Sequence, residues 1–379
     1  MLYRRFGKTE EMVSILGFGC MRFPTFEEDG VEKIDEEESM KMVRYAIDNG
    51  VNYLDTAYPY HGSGMEDGGG QSEPFVAKVI KDGYREKVKV ATKLPAWLIK
   101  TREDMDRYLN EQLERLEIDS IDFYLLHSLN HGTWENLKRL GVDEFLDSAI
   151  EDGRIKHAGF SYHDKPEYFK EIVDYYDFSF CQIQFNYLDE DYQAGLDGLE
   201  YAASKDLGVV IMEPLRGGKL VENLPVEAEE EFNNFSKDRT PAEWALRWVW
   251  DHEEVSIVLS GMSTMEQVVE NVEVARDAEA KSFSKEEQDL VESIKEIFES
   301  KEKVKCTSCG YCMPCPSGVD IPKNFSAYNN YYIFNDSGEY EKIDEKAGAD
   351  NCIKCGICEE HCPQNIEIME EMDNIKELF

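Results

Sequence analysis

Eight of the chain's ten cysteines fall between Cys306 and Cys362, in two runs whose spacing limits the chemistry they can do. The first reads Cys306-x2-Cys309-x2-Cys312-x2-Cys315-Pro316 and the second Cys352-x2-Cys355-x2-Cys358-x3-Cys362-Pro363. Thiolates are metal ligands. Three of them at x2 spacing can wrap one face of an inorganic cluster from a single loop, and a fourth, followed by proline, leaves that loop. Structural zinc is the competing occupant, but zinc favours two separated cysteine pairs around one tetrahedral ion. Four cysteines in ten residues and four in eleven, each run ending in Cys-Pro, fit that poorly. Gly310 and Gly356 stand where each loop must fold tightly, which glycine permits. The other two cysteines, Cys20 and Cys181, are isolated and read as small buried fillers.

A second constellation suits proton transfer. Asp55, Lys93 and His127 each close an apolar, strand-like run, and Tyr60 lies in the loop after Asp55. Reducing a carbonyl places a hydride on carbon and leaves charge on oxygen, so an acid must supply a proton. A free tyrosine, with a pKa near 10, is a weak acid at neutral pH. A neighbouring ammonium such as Lys93 is expected to lower that value. Asp55 would keep the lysine charged and oriented, and His127 would hydrogen-bond the substrate oxygen. Tyr58 competes with Tyr60 but stands only three residues from Asp55.

The elements that must position these groups form a series of eight strands: Val13–Cys20, Asn52–Asp55, Val88–Lys93, Ile121–His127, Ile155–Ser161, Phe180–Phe185, Val209–Glu213 and Val255–Ser260. Helical patterns such as Arg102–Leu116 and Pro241–Trp250 lie between them. Apolar strands alternating with helices imply a parallel sheet, and eight such units imply closure into a barrel, with the active site at the C-terminal strand ends. Leu2–Phe6, turning through Gly7-Lys8-Thr9, is expected to plug the bottom. Ser284 with Glu287 forms a capping-box pattern that opens a charged helix over 284–305. The expected fold is therefore an α/β (β/α)8 TIM barrel over 1–290, followed over 291–379 by a helical linker and a small cysteine-rich domain, which its resemblance to the two-cluster ferredoxins implies to be α+β and ferredoxin-like.

The second cysteine run matches the bacterial ferredoxin run residue for residue, while the first is one residue shorter before its last cysteine. That resemblance implies two 4Fe-4S clusters with crossed ligation. Cys306, Cys309 and Cys312 would share one cluster with Cys362, and Cys352, Cys355 and Cys358 the other with Cys315. The segment Leu54-Asp55-Thr56-Ala57-Tyr58-Pro59-Tyr60, with Lys93 and His127, resembles the Asp-Tyr-Lys-His tetrad of the aldo/keto reductases, and the likeness covers nearly all of 1–290. It implies that Tyr60 is the catalytic acid/base. It also implies a nicotinamide site in which Ser161 and Gln182 hold the amide, although Tyr162 stands where the family has asparagine. The turn Met212–Lys219, with Pro214, Leu215 and Gly217, resembles the pyrophosphate loop. Gly261, Ser263, Gln267 and Asn271 resemble the adenosine-side loop and helix. Many family members have a lysine and an arginine at the positions of Gly261 and Gln267, so NADP and NAD both remain open.

No G-x-G-x-x-G follows a strand, and Gly68-Gly69-Gly70 reads as a loop hinge. The loop His61–Gly70 is longer than usual and reads either as a lid or as a surface insertion. The formal net charge of −38 opposes nucleic acid and anionic lipid as partners. The first residues lack the apolar stretch of a signal peptide, and no run reaches the roughly 20 apolar residues of a membrane span. The expectation is a cytoplasmic enzyme acting on a small carbonyl or alcohol, with a redox partner protein. Hydride carriers move two electrons and cubane clusters one. The alternative is therefore an electron-transfer or redox-sensing protein whose barrel is a scaffold.

Overall fold

The computed structural model describes residues 1–62, 68–222, 224–306, 310, 312–362 and 364–379. Twelve strands are present among them. β1 (Tyr3–Arg5) and β2 (Met12–Ser14) form an antiparallel ribbon, and β4 (Thr25–Glu28) and β5 (Val31–Ile34) a second one. The other eight close a parallel barrel: β3 (Leu16–Gly19), β6 (Tyr53–Asp55), β7 (Lys89–Leu94), β8 (Ile121–Leu129), β9 (Ile155–Tyr162), β10 (Phe180–Gln184), β11 (Gly208–Met212) and β12 (Ile257–Ser260). Each neighbours the next in sequence, and β12 returns to β3. Apolar strands suit this arrangement because barrel strands are buried on both faces.

One expected strand divides. The run Val13–Cys20 is split, since Met12–Ser14 pairs with β1 and only Leu16–Gly19 enters the barrel. The ribbon delivers Phe6 into the barrel interior, where it packs with Val13, Tyr53, Phe123, Phe180, Val210 and Ile257. Phe6 meets Phe123 edge-on at 4.8 Å between centroids. A side chain at Gly208, the first residue of β11, would collide with the Phe6 ring at 2.5 Å. Burial of a phenylalanine contributes about 1.5–3 kcal/mol. The β4–β5 hairpin was not expected. It turns on Asp29-Gly30, both at positive φ (55° and 78°), as a two-residue hairpin requires.

The helices Arg102–Leu116 and Pro241–Asp251 lie where their periodicity places them, and Trp244 and Trp250 are buried. Compactness divides the chain into two units. One comprises Met1–Gly217 and Ala242–Phe283; the other comprises Gly218–Pro241 and Ser284–Phe379. The second unit therefore draws in a segment from between β11 and β12. The helix Lys285–Lys301 is opened by the expected reciprocal cap: the Ser284 amide donates to Glu287 Oε2 at 2.8 Å, and the Glu287 amide donates to Ser284 Oγ at 3.3 Å. A small core of Val304, Val319, Ile321, Phe325, Tyr328, Ala349, Ile368, Met372 and Ile375 holds the rest of this unit, with six cysteines packed on it. Its regular elements among the described residues are helices. Among the described residues no helix is long and apolar enough to cross a membrane.

Candidate functional site

Barrel register brings the first three polar strand ends together. β6 pairs with β7 (Asp55 opposite Ala91), and β7 with β8 (Lys93 opposite Leu125). Lys93 is fully buried, and its ammonium makes three contacts. It donates to Asp55 Oδ1 at 2.6 Å, to the Thr56 carbonyl at 2.8 Å and to Tyr60 Oη at 3.1 Å. Burial disfavours the charge on Lys93, but the Asp55 carboxylate and Tyr60 outweigh it, and its pKa is raised. His127 stands edge-on to Tyr60, with ring centroids 6.0 Å apart. Burial, followed by the charge of Lys93, holds the imidazole well below the usual histidine range, so it is neutral at physiological pH. Its Nδ1 is buried without a protein partner.

One expectation is corrected. The Tyr60 phenol lies above its ordinary pKa, not below it, because burial pushes it up by more than Lys93 pulls it down. Tyr60 is thus a stably protonated donor whose conjugate base Lys93 would support. Tyr58 is no rival at this position. Its hydroxyl donates to Glu111 at 3.1 Å and its ring packs edge-on against Tyr108.

The predicted nicotinamide residues are also neighbours: Ser161 and Gln182 pair in register across β9 and β10. Ser161 Oγ accepts from the Ser128 amide at 2.7 Å, which leaves its proton to donate. Gln182 Oε1 is buried without a protein partner, while its Nε2 lies 3.6 Å from the Met212 sulfur. One free donor and one free acceptor fit a carboxamide. Tyr162 turns away, donating to the Lys165 carbonyl. Pro214, Leu215 and Gly217 follow β11, with Gly217 at φ 65°. Beyond β12, Gly261 and Ser263 lead into the helix Met265–Val274. Gln267 Oε1 holds the Ser263 amide at 2.8 Å, and Asn271 Nδ2 donates to Ser260 Oγ at 3.0 Å.

Sequence reasoning missed Arg22. Its stem fills the space that a side chain at Gly261 would need, within 3.0–3.3 Å of the would-be Cβ. Its carbonyl accepts from Ser263 Oγ at 2.8 Å, and its guanidinium lies 3.7 Å from Glu213 and beside Gly217. A cation therefore does stand between the two cofactor-like loops, supplied from the chain after β3. Trp97, whose ring centroid lies 5.2 Å from that of His127, was missed as well. Arg22 belongs to a loop and Trp97 to the three-residue helical turn Ala96–Leu98, too short for periodicity to mark a residue. Gly69 and Gly70 are no loose hinge: the Gly70 amide donates to the Tyr58 carbonyl at 2.7 Å, and Gly69 lies against Arg115. The lid or insertion reading of His61–Gly70 falls largely on residues 63–67, outside the described residues.

In the second unit the cysteines line two cavities. One is bounded by Cys315, Cys352, Cys355 and Cys358, with Val319, Ile368 and Met372 behind them. The other is bounded by Cys306, Cys312 and Cys362, with Phe325 and Ile366; Cys309 lies outside the described residues. Each cavity draws cysteines from both runs. Their apolar backing and clustered thiols suit a sulfide cluster. Around Cys315, burial opposes the thiolate, but the Ser317 hydroxyl and the amides of Ser317, Gly318 and Val319 favour it, and its pKa is lowered.

The 4Fe-4S dicluster domain model matches residues 305–367. The chain is 28% identical to L-galactose dehydrogenase of Arabidopsis thaliana, over 77% of this chain and 94% of that protein. It is 26% identical to probable aldo-keto reductase 1 of Glycine max, over 69% and 80% respectively. Among solved structures, aldo-keto reductase AKR11C1 from Bacillus halodurans superposes with a TM-score of 0.63 at 23% identity, covering 78% of this chain and 96% of that one. That likeness speaks for the barrel fold alone. The aldo/keto reductase family model matches residues 15–296, most of the chain, and the protein belongs to the aldo/keto reductase family as an oxidoreductase extended by a 4Fe-4S dicluster domain.

Proposed function

We propose that this enzyme interconverts a small carbonyl compound and its alcohol with a nicotinamide dinucleotide, Tyr60 acting as general acid in reduction and general base in oxidation. The observation that carries the reading is the buried chain Asp55–Lys93–Tyr60, closed by hydrogen bonds of 2.6 and 3.1 Å. When bound, the reduced nicotinamide supplies the hydride that reaches the carbonyl carbon. Tyr60 Oη gives its proton to the carbonyl oxygen, and Lys93 stabilises the phenolate left behind. The neutral imidazole of His127 holds the same oxygen by a hydrogen bond. Ser161 and Gln182 fit the carboxamide through their free donor and acceptor, and Arg22, between Glu213 and Ser263, supplies positive charge for the diphosphate.

In the second unit, Cys315, Cys352, Cys355 and Cys358 would hold one 4Fe-4S cluster. Cys306, Cys309, Cys312 and Cys362 would hold the other. Such clusters pass single electrons to or from a redox partner protein. The described cysteines among them are only partly buried, and Cys355 is exposed, which suits a reducing cytoplasm.

The test is anaerobically reconstituted protein given NADH or NADPH and a panel of aldehydes and ketones, with loss of nicotinamide absorbance as the readout. Tyr60→Phe is expected to lower kcat by about 10²–10⁴-fold with dinucleotide binding kept. Full activity in that variant, or no dinucleotide binding by the wild type, would overturn the reading.

A further inference from the structure

Tyr60 and Lys93 reach hydrogen-bond distance although one rides on a loop after β6 and the other on β7. Two adjacent residues at the start of the helix Ser72–Val79 touch both supports. The Ser72 amide donates to the Tyr60 carbonyl at 3.2 Å. Ser72 Oγ donates to the Cys20 carbonyl at 3.0 Å and so accepts from Thr56 Oγ1 at 2.8 Å; the Thr56 carbonyl is the one that receives Lys93 Nζ. Glu73 is wholly buried. Its Oε1 accepts from Thr92 Oγ1 at 2.7 Å and from Gln112 Nε2 at 2.8 Å, and its Oε2 accepts from Arg115 Nε at 2.8 Å.

Gln112 and Arg115, both on the helix Arg102–Leu116, extend the knot in opposite directions. Gln112 Nε2 also reaches the Lys93 carbonyl at 3.0 Å, and its Oε1 accepts from Tyr124 at 2.8 Å. Arg115 donates to the Gly70 carbonyl and lies against Gly69. Gly70 is pressed so close to Tyr60 that a Cβ there would sit 2.0 Å from the Tyr60 carbonyl oxygen. Every contact to Glu73 is a donor, as an ionised carboxylate requires. A buried carboxylate is costly unless paired and hydrogen-bonded; this one is both, and it touches none of the groups that would meet substrate.

We infer that Glu73, locked by Arg115 and Gln112, is the positioning residue for the Tyr60–Lys93 pair, tying the strand that carries the lysine to the loop that carries the tyrosine. The inference rests on the reading of Tyr60 as proton donor, and its test has an arm independent of turnover. The full-length reconstituted protein is prepared with tyrosine isotopically labelled at the ring carbon bearing the hydroxyl, and the Tyr60 resonance is identified by its loss in Tyr60→Phe. Arg115→Met, which keeps bulk but frees Glu73 and Gly70, is expected to shift that resonance and raise its titration midpoint. Its kcat should fall on the order of 100-fold, with KM and dinucleotide affinity within about twofold of wild type. Arg115→Lys should recover part of both losses. Gln112→Met, which removes the donor to Glu73 and to the Lys93 carbonyl, should do the same as Arg115→Met and serves if that variant does not fold. An unmoved Tyr60 resonance and an unchanged kcat in these variants would overturn the inference. Full turnover in Tyr60→Phe would instead overturn the catalytic reading, while the resonance would still report whether Glu73 holds the phenol in place.

Discussion

The barrel site and the cysteine cavities solve the same problem, gathering polar groups that would otherwise stay in water, in opposite ways. In the barrel the groups come from distant parts of the chain and satisfy one another. Lys93 and Asp55 are buried as a pair, and Thr56 and Tyr60 complete the ammonium's contacts. In the second unit the described cysteines come from two short runs and line cavities beside a small core that includes nine described side chains. The charged pair of the first site is neutralised by protein, whereas the second site is completed by what it binds. An unpaired buried charge is therefore the weakness of the barrel, and loss of iron that of the second unit.

The largest effect should follow from removing iron. Chelation under oxidising conditions is expected to make residues 305–367 protease-sensitive and to abolish the unit's unfolding transition, because metal-dependent domains of this size draw their folding free energy from the metal. The barrel's own transition should persist. Limited proteolysis with mass spectrometry checks this, and an apo unit as resistant as the holo one would erase the contrast. Next in size is Lys93→Met, which leaves the Asp55 carboxylate buried without its cation. It should destabilise the barrel by about 3–5 kcal/mol in denaturant titration, whereas replacing the exposed Lys285, paired with Asp289, should change stability by under about 1 kcal/mol.

The smallest effect concerns acid. Burial alone would raise the Glu287 carboxyl, but Lys237, the Ser284 amide and Arg239 bring it down to about 2. A folded value below the unfolded one means stability that is present above the unfolded pKa and lost as pH falls. The advantage of wild type over Glu287→Gln should be full above about pH 4.3 and fade towards pH 2. Melting curves of the two proteins across that window would show it, and a gap independent of pH would mean that the ion pairs contribute nothing there.

What could be read from the sequence follows from how local each signal is. Asp55, Lys93 and His127 stood out because each closes an apolar run, and strand ends in a barrel converge whatever the loops do. The cysteine runs were legible from spacing alone. The Asp29-Gly30 hairpin carried a local signal that went unused amid a polar stretch. The break after Ser14 was hidden, since one apolar run served both the ribbon and β3. Arg22 could not be found in this way: its role arises from the space left by Gly261, more than two hundred residues away. Glu73 carries no signal of its own in the sequence, and only the fold surrounds it with Thr92, Gln112 and Arg115. The rise in the Tyr60 pKa was misjudged for a related reason. A neighbouring charge can be guessed from motif spacing, whereas the depth of burial that outweighs it depends on the whole barrel.

The Phe6 ring, wedged among Phe123, Phe180 and Tyr53 at the start of the strands, also has a bearing on traffic. With that floor sealed, the barrel is a cul-de-sac. The proposed reaction at Tyr60 would then be reached from the C-terminal strand ends. On the proposed reaction two ligands would share that doorway, the deeper one arriving first and leaving last.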